Sequence, residues 1–205
     1  MQTFRLLAPS AAIVAALLTG ASAVAAPATD PQSFLRGAVD EVLAVVYAPD
    51  PGSQPLSVRV RPLLEKHFTA EGITRRAVGP GWRQFTPAQQ KRTVELFFDL
   101  VLRTYADRFT PTEKPRITFG ATTEIAANRR EVQTSLTYQG STYSVAYRVE
   151  QTGDTWKIYD IVIEGVSMVA NYRAQLDALF QKGGATEVIR TLERKLAELD
   201  NAKSA

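Results

Sequence analysis

The feature that most constrains this chain is a change of hydrophobic period part-way along it, followed by a change back. Val132, Thr134, Leu136 and Tyr138 alternate with Gln133, Ser135 and Thr137, and beyond Gln139-Gly140 the set Tyr143, Val145, Tyr147 and Val149 repeats the pattern. A period of two belongs to strands with one buried face, and the intervening pair reads as a hairpin turn. On either side, apolar residues recur at every third or fourth position, the period of helices. Helices, then a meander of strands, then helices predict an α+β fold: a curved antiparallel sheet of about four strands, packed by N- and C-terminal helices.

Local signals place the elements. Asp30-Pro31 offers an N-cap and a proline at the first helical position, and Leu35, Val39, Val42 and Val46 follow on one stripe, predicting a helix that ends near Tyr47. After a loop from Ala48 to Pro55, the residues Leu56, Val60, Leu63, Leu64 and Phe68 predict a second helix, with Pro62 as its kink or its start. A short helical piece is expected around Thr74 to Val78, stopped by Gly79-Pro80-Gly81. Thr86-Pro87-Ala88-Gln89 has the form of a capping box and opens a long helix to about Arg108, whose apolar face is unusually wide. Strands are expected over Arg116 to Ile125 and Trp156 to Val166, flanking the central hairpin. Val169, Tyr172, Leu176, Leu179 and Phe180 then share a helical face, Gly183-Gly184 supplies a stop, and Val188 to Leu199 forms a last helix.

The first 25 residues have the form of a secretory leader: Arg5 near the start, an apolar run from Leu6 to Leu18, then small residues, with cleavage expected between Ala23 and Ala26. Residues 26–205 are then expected to form a single domain, its core about 31–199, soluble and exported to the periplasm. There is no Cys, which excludes disulfides, thiol catalysis and Cys-based metal sites. Of 24 basic residues one leaves with the leader, so 23 face 21 acidic ones and the signs are interspersed. Nucleic-acid binders cluster their cations on one face, so that class is set aside.

Reactive constellations are equally scarce. The chain has one histidine, His67, and no Gly-x-Ser-x-Gly turn to present a nucleophile beside it. No Asp/Glu grouping has a metal-binding spacing, and Gly79-Pro80-Gly81 lacks the Lys and Ser/Thr of a phosphate loop. No catalytic residue, metal or cofactor is therefore assigned. Asp160 and Glu164, if both lie on one regular strand, stand about 13 Å apart at 3.3 Å per residue, too far for direct acid–base partnership.

One stretch is far from generic. Asp160-Ile161-Val162-Ile163-Glu164-Gly165-Val166-Ser167-Met168-Val169-Ala170-Asn171-Tyr172-Arg173-Ala174-Gln175 closely resembles the signature of the MlaC family, the toluene-tolerance periplasmic proteins of the Mla phospholipid transport system. Trp82 to Gln90, Leu100 to Ala106 and Gly153 to Asp160 agree with it, and the similarity runs from about Ser33 to Leu199. A departure at Ala77-Val78-Gly79-Pro80-Gly81-Trp82, with extra Pro and Gly, bears on one local piece of pocket wall. The resemblance implies a fold related to the nuclear-transport-factor-2 type, enclosing an apolar cavity for phospholipid tails. It also implies a carrier, not an enzyme, that shuttles lipid as cargo between an outer-membrane lipoprotein complex and an inner-membrane ABC transporter. A monomer is the simpler expectation.

Such a carrier needs a large apolar cavity where the curved sheet stands off from its helices. The candidate lipid-binding residues are Trp82, Leu96, Phe97, Leu100, Val101 and Tyr105 on the helical side, with Tyr143, Val145, Tyr147, Ile163 and Val166 from the strands. Met168, Val169 and Tyr172 follow from the signature helix, and Arg173 is the expected headgroup contact. Three alternatives stand beside this reading: a carrier for another lipid such as a hopanoid, a small enzyme on the same scaffold using Asp160 or Glu164, and an exported domain with a solid core.

Overall fold

The structure, a computed structural model, describes residues 30–49, 52–106 and 113–204. The expected leader lies outside the described residues, as does the expected end of the long helix at Arg108. The chain runs α1 (Pro31–Val46), α2 (Leu56–His67), α3 (Ala70–Val78), a 3₁₀ turn (Gly79–Gln84) and α4 (Pro87–Ala106). It continues through β1 (Arg116–Ala126), β2 (Arg129–Tyr138), β3 (Ser141–Thr152), β4 (Thr155–Ile163) and β5 (Val166–Ser167) into α5 (Met168–Ser204). No helix among the described residues is long and apolar enough to cross a membrane.

The helix starts follow their sequence signals. The Asp30 carboxylate accepts the Ser33 amide at 2.9 Å, satisfying one of the N–H groups that a helix start leaves unpaired. At α4 the capping box closes reciprocally: Thr86 Oγ1 accepts from the Gln89 amide at 3.2 Å, and Gln89 Oε1 accepts from the Thr86 amide at 2.9 Å. Pro62 lies inside α2 and does not end it. Gly183 and Gly184 depart from helical geometry, Gly184 at φ 63° and ψ −156°, so α5 is two helical arms meeting at a kink.

The five strands pair in sequence order, every neighbour antiparallel. The expected strand from Trp156 to Val166 is broken: Glu164 (φ 49°) and Gly165 (φ 79°) form a two-residue turn, and Ile163 pairs back onto Val166. The sheet thus has five strands where about four were expected. Glu164 sits at the turn and not on the strand of Asp160, so the two carboxylates do not share a strand face. Register shifts at Phe119/Thr122, Glu124/Ala126 and Arg148/Val149 mark bulges, which bend and coil a sheet.

The interior is divided. One buried cluster joins α3, α4 and α5 through Val78, Trp82, Phe85, Phe97, Leu192 and Leu196. A second lies under α1 on the sheet, with Leu35, Val132, Val149, Trp156 and Ile158. A fully packed domain would merge these into one core; here a cavity lies between them.

Candidate functional site

That cavity has a volume of about 490 Å³. Helix α1 contributes the stripe Leu35, Val39, Val42 and Val46, α2 adds Leu56, Val60 and Leu64, and α4 presents Phe97, Phe98, Val101 and Tyr105. The sheet supplies Ile117, Leu136, Tyr147, Ile158, Ile161 and Ile163, and α5 opens onto the cavity with Met168, Val169 and Tyr172. The volume falls within the roughly 300–1,000 Å³ range of small-molecule sites.

Most of the few polar groups in the wall are occupied by the protein itself. Thr74 Oγ1 donates to the Ala70 carbonyl at 2.8 Å, and the Tyr47 hydroxyl donates to the Glu113 carbonyl at 2.6 Å. His67 Nε2 lies 2.8 Å from Glu41 Oε2, while Lys66 Nζ donates to both oxygens of that carboxylate at 2.7 and 2.9 Å. The Lys66 and His67 hydrogen bonds hold the Glu41 carboxyl below its usual range. Burial pushes the Tyr147 and Tyr172 hydroxyls well above the ordinary tyrosine range, so both stay neutral, and Tyr172 is further hydrogen-bonded to Tyr105.

Asp160 is similarly engaged. Its Oδ2 accepts from Ser167 Oγ at 2.6 Å and from Arg148 Nη1 at 3.2 Å, and its Oδ1 accepts from the Val169 amide at 3.1 Å. Ser167 Oγ in turn accepts from the Ala170 amide at 3.0 Å. The start of α5 is therefore capped twice, by an N-cap serine and by a buried carboxylate reaching from the neighbouring strand. These polar groups serve to place the walls, and the surface that faces the enclosed space is apolar.

Of the candidate residues, Phe97, Val101, Tyr105, Tyr147, Ile163, Met168, Val169 and Tyr172 line the cavity. The others are placed elsewhere. Leu96, Leu100 and Trp82 pack in the helical core, Trp82 stacking on Phe85 at 5.6 Å. At 3.6 residues per turn, an α4 that is apolar on two sides directs Phe97 and Val101 to the cavity and Leu96 and Leu100 to the core around α5. Val145 is buried without reaching the lining, and Tyr143 and Val166 are exposed at the end of the sheet. Arg173, one step beyond Tyr172, is turned about 100° away from the cavity. Its guanidinium lies 3.0–3.5 Å from where a side chain on Gly79 would begin, so it covers the end of α3 and not the cavity. The departure at Gly79-Pro80-Gly81 forms a turn against α5, and none of residues 79–84 lines the cavity.

The sequence reading passed over the walls made by α1, α2 and α3. Their signal was present in the stripes Leu35-Val39-Val42-Val46 and Val60-Leu64, but a stripe facing a cavity has the same period as one facing a packed core. Among the described residues, no group of three or more His, Asp or Glu is placed to hold a metal ion.

Comparison with known proteins places this architecture. The phospholipid-binding protein from Ralstonia solanacearum, solved in complex with a phospholipid at 1.53 Å, superposes with a TM-score of 0.76 at 28% sequence identity, covering 85% of this chain and 99% of that one. The toluene tolerance protein ttg2D of Pseudomonas putida is 25% identical over 138 residues, 66% of this chain. The chain spans 64% of the length of that relative. Residues 36–194 match the profile of the MlaC protein family from within α1 to the second arm of α5, and this chain therefore belongs to the MlaC family.

Proposed function

We propose that this chain is a periplasmic phospholipid carrier of an Mla-type transport system. It takes up the tails of a phospholipid between its two cores and moves the lipid between an outer-membrane lipoprotein complex and an inner-membrane ABC transporter. The observation that carries the reading is the apolar cavity itself, most of whose few polar groups are paired within the protein, in a family member that superposes on a protein solved with a phospholipid. Exposing one acyl chain of roughly 15 methylenes to water costs about 12 kcal/mol at about 0.8 kcal/mol per CH₂, and two chains about twice that. Each 1.4 kcal/mol is a factor of ten in an equilibrium, so unassisted passage through water is negligible and an apolar enclosure removes most of the penalty. The lining asks for no chemistry on the cargo: it holds no nucleophile–base pair, and Asp160 is engaged by Arg148, Ser167 and the start of α5.

Native mass spectrometry of the chain purified without its first 25 residues, followed by organic extraction, tests this. A diacyl phospholipid recovered in simple stoichiometry is the expected result. A terpenoid in its place moves the protein to a carrier of a different lipid, and a protein that neither retains lipid nor takes it up from phospholipid vesicles overturns the proposal.

A further inference from the structure

We infer that the hydroxyl of Tyr147 is a polar subsite inside the cavity, the donor that meets an acyl ester carbonyl of the bound phospholipid; this rests on the carrier reading above. Of the other polar side chains in the lining, Tyr47, His67, Thr74 and Asp160 hold partners within the protein, and Tyr172 is hydrogen-bonded to Tyr105. The Tyr147 hydroxyl makes no hydrogen bond among the described residues. Its ring packs on the cluster under α1, and its oxygen is not sealed in by protein atoms, so the hydroxyl opens on the cavity. A donor left unpaired in an apolar space costs free energy, and a phenylalanine would fill the same place without that cost. The hydroxyl therefore calls for a partner that arrives with the cargo.

Position within the sheet selects the group. Ile163 and Tyr105 both line the cavity and are 39% and 49% exposed, so the mouth lies between the end of β4 and the end of α4. Ile163 pairs with Val145, while Tyr147 pairs with Ile161, one rung further in, or about 7 Å at about 3.3 Å per residue. In a phospholipid the ester carbonyls stand between the phosphate and the tails, so with the headgroup in water at the mouth they are the polar atoms that reach this depth. A carbonyl oxygen accepts and cannot donate, and burial keeps the Tyr147 hydroxyl protonated, which makes it the matching donor. Among the described residues no Lys or Arg lines the cavity, so the phosphate finds no counter-charge inside. An ester held here sets the depth to which the cargo enters. It also favours ester-linked tails over ether-linked ones, whose oxygens are weaker acceptors.

The test offers delipidated protein mixed vesicles that hold equal amounts of a diacyl phosphatidylethanolamine and its dialkyl ether analogue of the same chain length. Lipids extracted from the wild type and from Tyr147→Phe are then compared by mass spectrometry. The expected result is a wild-type preference for the ester of roughly three- to ten-fold, the worth of one hydrogen bond, and a ratio near one in Tyr147→Phe. With diacyl lipid isotope-labelled at its ester carbonyls, the infrared carbonyl stretch of the bound lipid should move to lower wavenumber in the wild type and lose that shift in the variant, which a change of packing alone does not produce. Equal uptake of the two lipids by the wild type overturns the inference by itself, whether or not the variant folds, and leaves the hydroxyl to water. An ester preference that Tyr147→Phe retains overturns it as well. Uptake of neither lipid removes the carrier reading, and the inference falls with it.

Discussion

Asp160 has a partner at each oxygen, and two of its contacts lead to the start of α5: the Val169 amide directly and the Ala170 amide through Ser167. A carboxylate from β4 thus anchors the helix whose first two turns present Met168, Val169 and Tyr172 to the cavity. Replacing it removes a helix-terminus acceptor worth about 1 kcal/mol and leaves Arg148 without one of its carboxylates. Breaking a buried ion pair costs roughly 3–5 kcal/mol, but Arg148 is partly solvated and keeps Glu131 at 2.8 Å, which reduces that figure. Asp160→Ala should therefore lose about 2–4 kcal/mol in urea unfolding. A variant as stable as the wild type would mean that the carboxylate does not hold the helix, and would reopen an acid–base role for it.

Between elements, the 3₁₀ turn packs tightly against α5. A Cβ on Gly81 would lie 2.7 Å from Cδ1 of Phe180, whose ring stacks on Phe85 at 5.8 Å. The ring is half-buried, and moving it gives up part of that stack. Gly81→Ala should cost about 1–3 kcal/mol as an overpacked contact, read as a lowered thermal midpoint, and Phe180→Leu in the same chain should recover part of it. An unaltered midpoint for the single variant would show that the turn can shift freely. This contact also explains what the sequence hid. Gly79-Pro80-Gly81 was legible as a stop for α3, but what the glycines leave room for, Arg173 and Phe180, lies nearly a hundred residues along the chain. Caps, hairpin turns and the strand period were legible because each is decided within a few residues. The split of the Trp156–Val166 strand was signalled only by Glu164-Gly165, two residues inside an otherwise continuous apolar run. The roles of Leu96 and Phe97 differ because of where α5 packs, which no local pattern records.

At the scale of the molecule, the division of the interior into two clusters is what separates a carrier from a solid exported domain. Leu192 is 1% exposed in the helical cluster, so Leu192→Ala removes packed contacts and should cost about 2–5 kcal/mol with the cavity walls left in place. Val101 packs at the edge of the same cluster but also faces the cavity from α4, with space in front of it. Adding bulk there fills volume that the fold keeps open without displacing a neighbour, so Val101→Trp should leave the lipid-free protein at least as stable as the wild type. The same ring occupies the path between the α4 wall and the sheet, so extracted phospholipid per protein should fall several-fold. The loaded wild type carries an added stability of RT ln(1 + [L]/Kd) from its cargo, which the filled variant should lack. Wild type and Val101→Trp should therefore differ in thermal midpoint when both have been offered phospholipid vesicles, and converge or reverse after delipidation. If Val101→Trp unfolds as readily as Leu192→Ala and still binds lipid in full, the space between the clusters is ordinary core, and the cargo sits somewhere else.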